Sequence, residues 1–201
     1  MDSRSRAARL IPALLVLLLL AGCGTTPPTR FYLLTPEERQ QGVAALPSDL
    51  VVGVGPVRLA DYLGRPQVVF REAGNRLRVE EFERWGGSLE TNITWVVAEN
   101  LTRLLGTPSV VTFPWERAVV PGYQVTIDVR QLDAMPNSDA RLTALWRILG
   151  DDGRRILAIE RTEISEKASA DTIEALVEAQ SRALARMSEQ IAARIRALGG
   201  R

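Results

Sequence analysis

The chain has 201 residues and no histidine, one lysine (Lys167) and one cysteine (Cys23). Without histidine, the commonest general base and the commonest metal ligand are missing. The lone thiol leaves three readings open: a nucleophile, a metal ligand or a buried filler. The formal charge is +1, so no strong field recruits nucleic acid or an acidic substrate. All other basic residues are arginines. Arginine suits phosphate contacts, and a GC-rich genome leaves the same bias. The apolar run from Leu10 to Leu20 has about eleven residues, where a spanning helix needs roughly 20. What is present, 46% hydrophobic and 24% charged residues, suits one domain of moderate size with a real core.

The amino terminus has three parts. Arg4, Arg6 and Arg9 form a positive segment, Leu10 to Leu20 an apolar one, and Ala21-Gly22 are small residues ahead of Cys23. The apolar length is that of a secretory signal. Leu20-Ala21-Gly22-Cys23 resembles the lipobox of bacterial lipoproteins. That resemblance implies diacylglycerol on the thiol of Cys23, removal of residues 1–22, and an N-acyl chain on the new terminus. The thiol is then consumed. Two or more acyl chains make stable anchoring, at about 0.8 kcal/mol per buried methylene. Residue 24 is glycine rather than aspartate, and the lipoproteins so marked are sorted outward. The expected address is the outer membrane, facing the periplasm. Removing residues 1–22 takes away three arginines and Asp2, leaving 22 basic and 23 acidic residues. A plain signal peptide with an incidental cysteine is the competing reading.

Residues 23–29 form the lipidated cysteine and a short tether, and residues 30–201 the domain. Six residues from Gly24 to Thr29 reach about 20 Å at most, and Pro27-Pro28 stiffen them. Phe31–Leu34 reads as a first strand, and Pro36–Asp49 as a loop. Leu50–Leu59 reads as a buried strand with Pro56 at its end or at a bulge. Pro66–Arg71 and Arg76–Phe82 look like a hairpin around Ala73-Gly74-Asn75. Ser88–Leu105 is a helix capped by Ser88 and stopped by Gly106. Its apolar stripe is Leu89, Ile93, Val96, Val97, Leu101, Leu104 and Leu105. Val110–Phe113 is a short strand. Tyr123, Val125, Ile127 and Val129 alternate with polar residues, as do Leu142, Ala144, Trp146 and Ile148. Asp151-Asp152-Gly153 is a hairpin turn, and Arg155–Ile164 returns. Asp171–Leu198 is a final helix with capping-box spacing at Asp171 and Glu174. The expected fold is mixed α/β: one largely antiparallel sheet of about six or seven strands, flanked by two main helices.

No catalytic set emerges. Gly53-Val54-Gly55 lacks the third glycine and the lysine of a phosphate loop, and reads as strand packing. Ser165 and Lys167 sit in a polar stretch and read as a solvated strand end. Glu80, Glu81 and Glu83 lie among Arg76, Arg78 and Arg84 and read as surface ion pairs. Asn92-Ile-Thr94 and Asn100-Leu-Thr102 match a glycosylation sequon, which carries little meaning beside a lipobox. Trp146 belongs to the core by its alternation. Trp85, before Gly86-Gly87, and Trp115, after Phe113-Pro114, read as loop aromatics. Such residues serve as interface anchors or as caps on the core.

Several ordered stretches carry a family resemblance: FYLL soon after Cys23, VGVGPVRLADYLGRPQVV at 52–69 and RWGGSLETNITWVVAENLTRLLG at 84–106. FPW at 113–115, YQVTIDVRQLD at 123–133, LTALWRI at 142–148 and SRALARMSEQIA at 181–192 follow. Together they resemble the PqiC/YmbA family of auxiliary lipoproteins of ABC-type and MCE-type intermembrane transport systems. Gly86-Gly87 departs from the acidic residue and proline expected after the tryptophan.

The resemblance implies a non-enzymatic role without cofactor or metal. Such proteins sit on the outer membrane and receive the end of a periplasm-spanning MCE assembly that moves phospholipid or other apolar cargo. Homo-oligomeric rings around the partner's tip are implied too, and a mixed α/β fold. Tyr62, Leu63, Arg65, Trp85 and Trp115 are candidate contacts with the partner or a neighbouring subunit. Stabilising their own loops is the competing role. A carrier that itself binds a lipid or apolar ligand is the alternative function.

Overall fold

In a computed structural model of the protein, residues 27–37, 47, 50–72, 75–134, 139–150 and 152–199 are described. Cys23, the signal segment and the tether up to residue 26 lie outside them, as do Ala73-Gly74 and most of the 36–49 loop.

The first helix, α1 (Leu89–Leu105), begins where Ser88 Oγ accepts the Thr91 N–H at 3.3 Å. It ends at Gly106, whose φ of 64° is left-handed, a backbone region open to glycine. Every residue of the expected apolar stripe is buried. The second helix, α2 (Ile173–Gly199), starts one residue later than its spacing suggests. Thr172 Oγ1, not the Asp171 carboxylate, accepts the Ala175 N–H at 3.2 Å. Glu174 is drawn instead toward Tyr32. Leu176, Val177, Leu184, Met187, Ile191 and Ile195 form the buried face, with Ile173 and Leu198 partly buried at its margins.

The described strands form two sheets rather than the single expected one. The larger contains β2 (Val52–Leu59), β5 (Val110–Thr112), β6 (Tyr123–Ala134), β7 (Ala140–Gly150) and β8 (Arg155–Glu166), in the order β5-β2-β6-β7-β8. β2 runs parallel to both neighbours, while β6–β7 and β7–β8 are antiparallel. The smaller contains β1 (Arg30–Tyr32), β3 (Gln67–Arg71) and β4 (Leu77–Trp85), in the order β1-β4-β3. The reason is edge occupancy. β5 and β6 take both sides of β2, so the β3–β4 hairpin that follows it does not pair with β2, and β4 pairs with β1 instead. Pairing with β1 extends β4 to Trp85, beyond the Phe82 expected from local pattern.

α1 packs on β2 and β5, α2 crosses β6, β7 and β8, and the helices touch each other. The alternating residues Val125, Ile127, Val129, Leu142, Ala144, Trp146 and Ile148 are all almost fully buried. Each large one contributes about 1.5–3 kcal/mol through burial. The Trp146 Nε1–H donates to Thr162 Oγ1 at 2.9 Å, so its one polar atom is satisfied. The register of β2 slips between Val54 and Val57, so Pro56 does sit at a bulge. Positive φ values at Asp152 (58°) and Gly153 (80°) are what a tight type I′ hairpin turn requires.

Candidate functional site

Residues 61–63 form a single 3-10 turn after β2. The Tyr62 hydroxyl donates to Asp133 Oδ2 at 2.8 Å. Arg71 donates to the same oxygen at 3.3 Å, and the Gln131 amide to Oδ1 at 2.8 Å. Asp133 is buried, and three donors compensate its charge. The Arg71 guanidinium also lies 6.0 Å from the Tyr62 ring centroid. Burial, then the Asp133 carboxylate, pushes the Tyr62 hydroxyl above its ordinary pKa. The Asp133 charge likewise raises that of Arg71. This cluster ties the turn to β6 and to β3, and so joins the two sheets.

Leu63 is in the core and offers no surface. Trp85 does not sit in a loop. It is the last residue of β4, is 6% exposed, and its N–H donates to Pro66 O at 2.8 Å. The core-cap reading of Trp85 therefore describes the monomer. Arg65 is exposed. It borders an open groove of about 470 Å³ with Asp61, Gly64 and Pro66 on one side and Gly87, Ser88 and Glu90 on the other.

Trp115 is elsewhere. A Cβ on Gly53 would meet Trp115 Cζ3 at 2.8 Å and Pro121 Cγ at 2.9 Å, so the indole lies on that glycine. Phe113 meets it edge-on, with ring centroids 5.4 Å apart at 84°. A Cβ on Gly55 would meet Phe113 Cβ at 2.7 Å. The two glycines of the G-x-G fragment thus admit aromatic rings, as the packing reading expects. Half-buried Trp115 borders a hollow of about 190 Å³ with Val119, Val120, Gln124 and Gly153. Gly53 and Leu59 are six residues apart on β2, about 20 Å at strand rise. Trp115 and Arg65 therefore mark opposite ends of the domain rather than one site.

Two constellations were not legible in the sequence. In the first, Glu83 is buried rather than paired at the surface. Arg30 Nε donates to its two oxygens at 3.0 and 3.1 Å, and the Tyr32 hydroxyl to Oε2 at 2.6 Å. Tyr32 also reaches Glu174 Oε1 at 3.1 Å. Burial and these carboxylates raise the pKa of Tyr32. That of Glu174 is lowered by its own backbone N–H and by Tyr32 and Arg30. Glu80 and Glu81 keep the expected surface pairs, with Arg78 at 2.9 Å and Arg84 at 3.3 Å.

In the second, residues 34–37 are strapped along the two helices. The Leu34 N–H donates to Asn92 Oδ1 at 2.8 Å, and Asn92 Nδ2 donates to Leu34 O at 3.0 Å. The Thr35 N–H donates to Ser181 Oγ at 3.1 Å, and the Glu37 N–H to Asn100 Oδ1 at 3.1 Å. Asn92 and Asn100 lie eight residues apart, about two turns along the same helix. Both sequon asparagines serve this strap. Only their common spacing along a helix hinted at a shared role.

Ser165 and Lys167 are exposed, as a solvated strand end should be. Ser165 Oγ donates to Asp139 at 3.0 Å. Among the described residues no cluster of potential ligands is placed to hold a metal, and no helix is long and apolar enough to cross a membrane.

Residues 32–192 match the family of ABC-type transport auxiliary lipoprotein components. The chain belongs to that family. Protein XCC0632 from Xanthomonas campestris, a DUF330 protein, shares its fold with a TM-score of 0.66 at 16% identity, over 82% of this chain and 93% of that one. The crystal structure of an uncharacterized protein superposes with a TM-score of 0.70 at 15% identity, over 84% and 99% of the two chains. No curated protein sequence matches the chain. The mixed α/β fold, the PqiC/YmbA-type membership and the auxiliary role in transport all agree with the resemblance read from the sequence.

Proposed function

We propose that the protein is an outer-membrane lipoprotein, anchored through diacylglycerol and an N-acyl chain on Cys23, that docks a periplasm-spanning MCE-type partner. It performs no chemistry of its own. It acts by holding the partner's end at the membrane, as one copy in a homo-oligomeric ring. The observation that carries this reading is the lipobox at residues 20–23, placed just ahead of a transport-auxiliary domain that matches from residue 32. The short tether supports it: a domain held within about 20 Å of its anchor cannot cross the periplasm, so its partner must come to it. Exposed Arg65 and half-buried Trp115 are the residues for the partner or a neighbouring copy. Half-buried Tyr62 and buried Leu63 and Trp85 support Arg65 from within.

The test is detergent extraction of the tagged full-length protein, followed by mass spectrometry of its amino-terminal peptide and of co-purifying chains. The expected result is a triacylated Cys23 and an MCE-type protein in the eluate. A water-soluble product with a free thiol at Cys23 overturns the anchor. A tightly held lipid with no protein partner replaces docking by the carrier function.

A further inference from the structure

Phe31 and Leu33 face the same way from the segment that follows the tether, and both are exposed, at 68% and 57%. Their neighbours Tyr32 and Leu34 are buried. Leu33 leans on Gly86, where a Cβ would meet its Cδ2 at 3.2 Å. Asn92, which grips Leu34, is followed one helical turn later by Trp95, 48% exposed. Residues three apart are neighbours on a helix surface. Phe31 and Leu33 thus expose large apolar side chains just after the tether, and Trp95 exposes a third one helical turn from the asparagine that grips Leu34.

Rigid exposed aromatics beside aliphatics favour the boundary between headgroups and acyl chains. Eight residues separate Phe31 from Cys23, a reach of about 28 Å at most. A tether this short keeps the patch at high effective concentration at the bilayer, so a weak contact suffices to orient the domain.

We propose that Phe31, Leu33 and Trp95 form a second, non-covalent contact with the phospholipid surface. It seats the domain with its Arg65 end toward the bilayer and its Trp115 end toward the periplasm. The assignment of ends follows from connectivity. Gly86, under Leu33, adjoins Gly87 on the Arg65 groove, and Trp115 lies at the far end of β2. The proposal rests on acylation of Cys23.

That dependence supplies the test. With Cys23 acylated, a cysteine introduced elsewhere is the sole thiol for a nitroxide label. Phe31→Cys, Leu33→Cys and, as a far-end control, Val120→Cys are made in the full-length chain. Val120 is 59% exposed beside Trp115. The processed proteins are reconstituted into phosphatidylethanolamine–phosphatidylglycerol vesicles. The expected result is that labels at 31 and 33 relax with oxygen but are shielded from a water-soluble nickel complex, while the label at 120 is open to nickel. Equal nickel access at all three positions overturns the contact. Shielding from both reagents with dipolar broadening also overturns it, because a second copy then covers the patch. Label taken up by the parent protein at Cys23 removes the anchor itself, and the contact with it.

Discussion

The Asn92 side chain satisfies both backbone groups of Leu34, accepting its N–H at 2.8 Å and donating to its carbonyl at 3.0 Å. One amide side chain replaces a strand partner and clamps the segment leading from the tether onto the helices. Asn92→Ala leaves both groups of the fully buried Leu34 without these partners. The expected cost is about 1–3 kcal/mol, read from urea denaturation, together with faster amide exchange at Leu34.

Gly53 makes room for Trp115. Gly53→Val puts a side chain where the indole and Pro121 now lie, at 2.8 and 2.9 Å, and is expected to cost about 1–3 kcal/mol from overpacking. Tryptophan emission should shift to the red. In a Trp115→Phe background the same substitution should leave the emission unchanged. A shift that persists there means the effect does not pass through Trp115.

Asp133 is compensated by Tyr62, Arg71 and Gln131. Asp133→Ala leaves the Tyr62 hydroxyl and the Gln131 amide without this acceptor, at an expected cost of about 1–3 kcal/mol. A cycle with Arg71→Met should give a coupling of about 0.5–3 kcal/mol. Additive losses would show that Arg71 does not serve this carboxylate.

Tyr32 and Tyr62 have raised pKa values in the folded chain, through burial and neighbouring carboxylates. The native state holds these protons more tightly than the unfolded chain does. Their contribution is complete below the unfolded tyrosine pKa of about 10 and is lost as pH rises from there through the folded values. The melting temperature should fall above about pH 10. The fall should be shallower in the Tyr32→Phe, Tyr62→Phe double variant, which starts from a lower plateau. An equally steep alkaline fall in that variant would assign the loss to other groups.

Both helices were legible because their signals are local. Ser88 and Gly106 bracket α1, and its apolar residues recur every three or four positions. Strands β6 to β8 were legible by alternation and by the turn at Asp152-Gly153. Trp85 was misplaced because the strand that extends β4 around it begins more than fifty residues earlier, at Arg30. Glu83 was read as a surface charge because its partners Arg30 and Tyr32 are 53 and 51 residues away, beyond any local pattern. Five candidate contacts looked alike as loop residues. Folding buried Leu63 and Trp85, engaged Tyr62 with Asp133, and set Arg65 and Trp115 at opposite ends of β2.

The sequence by itself determined which faces of the helices and of β6 to β8 turn inward, since periodicity and caps act within a turn or a strand. It also carries the lipobox-like Leu20-Ala21-Gly22-Cys23, a linear pattern whose reading needs no fold. Only the tertiary structure decided that the strands divide into two sheets, that Asp133 and Glu83 go inside, and that the chain after the tether lies across both helices. Those outcomes depend on which distant groups meet. A buried carboxylate is tolerated only where arginine, tyrosine or amide donors converge on it, and that convergence exists only once the chain has folded.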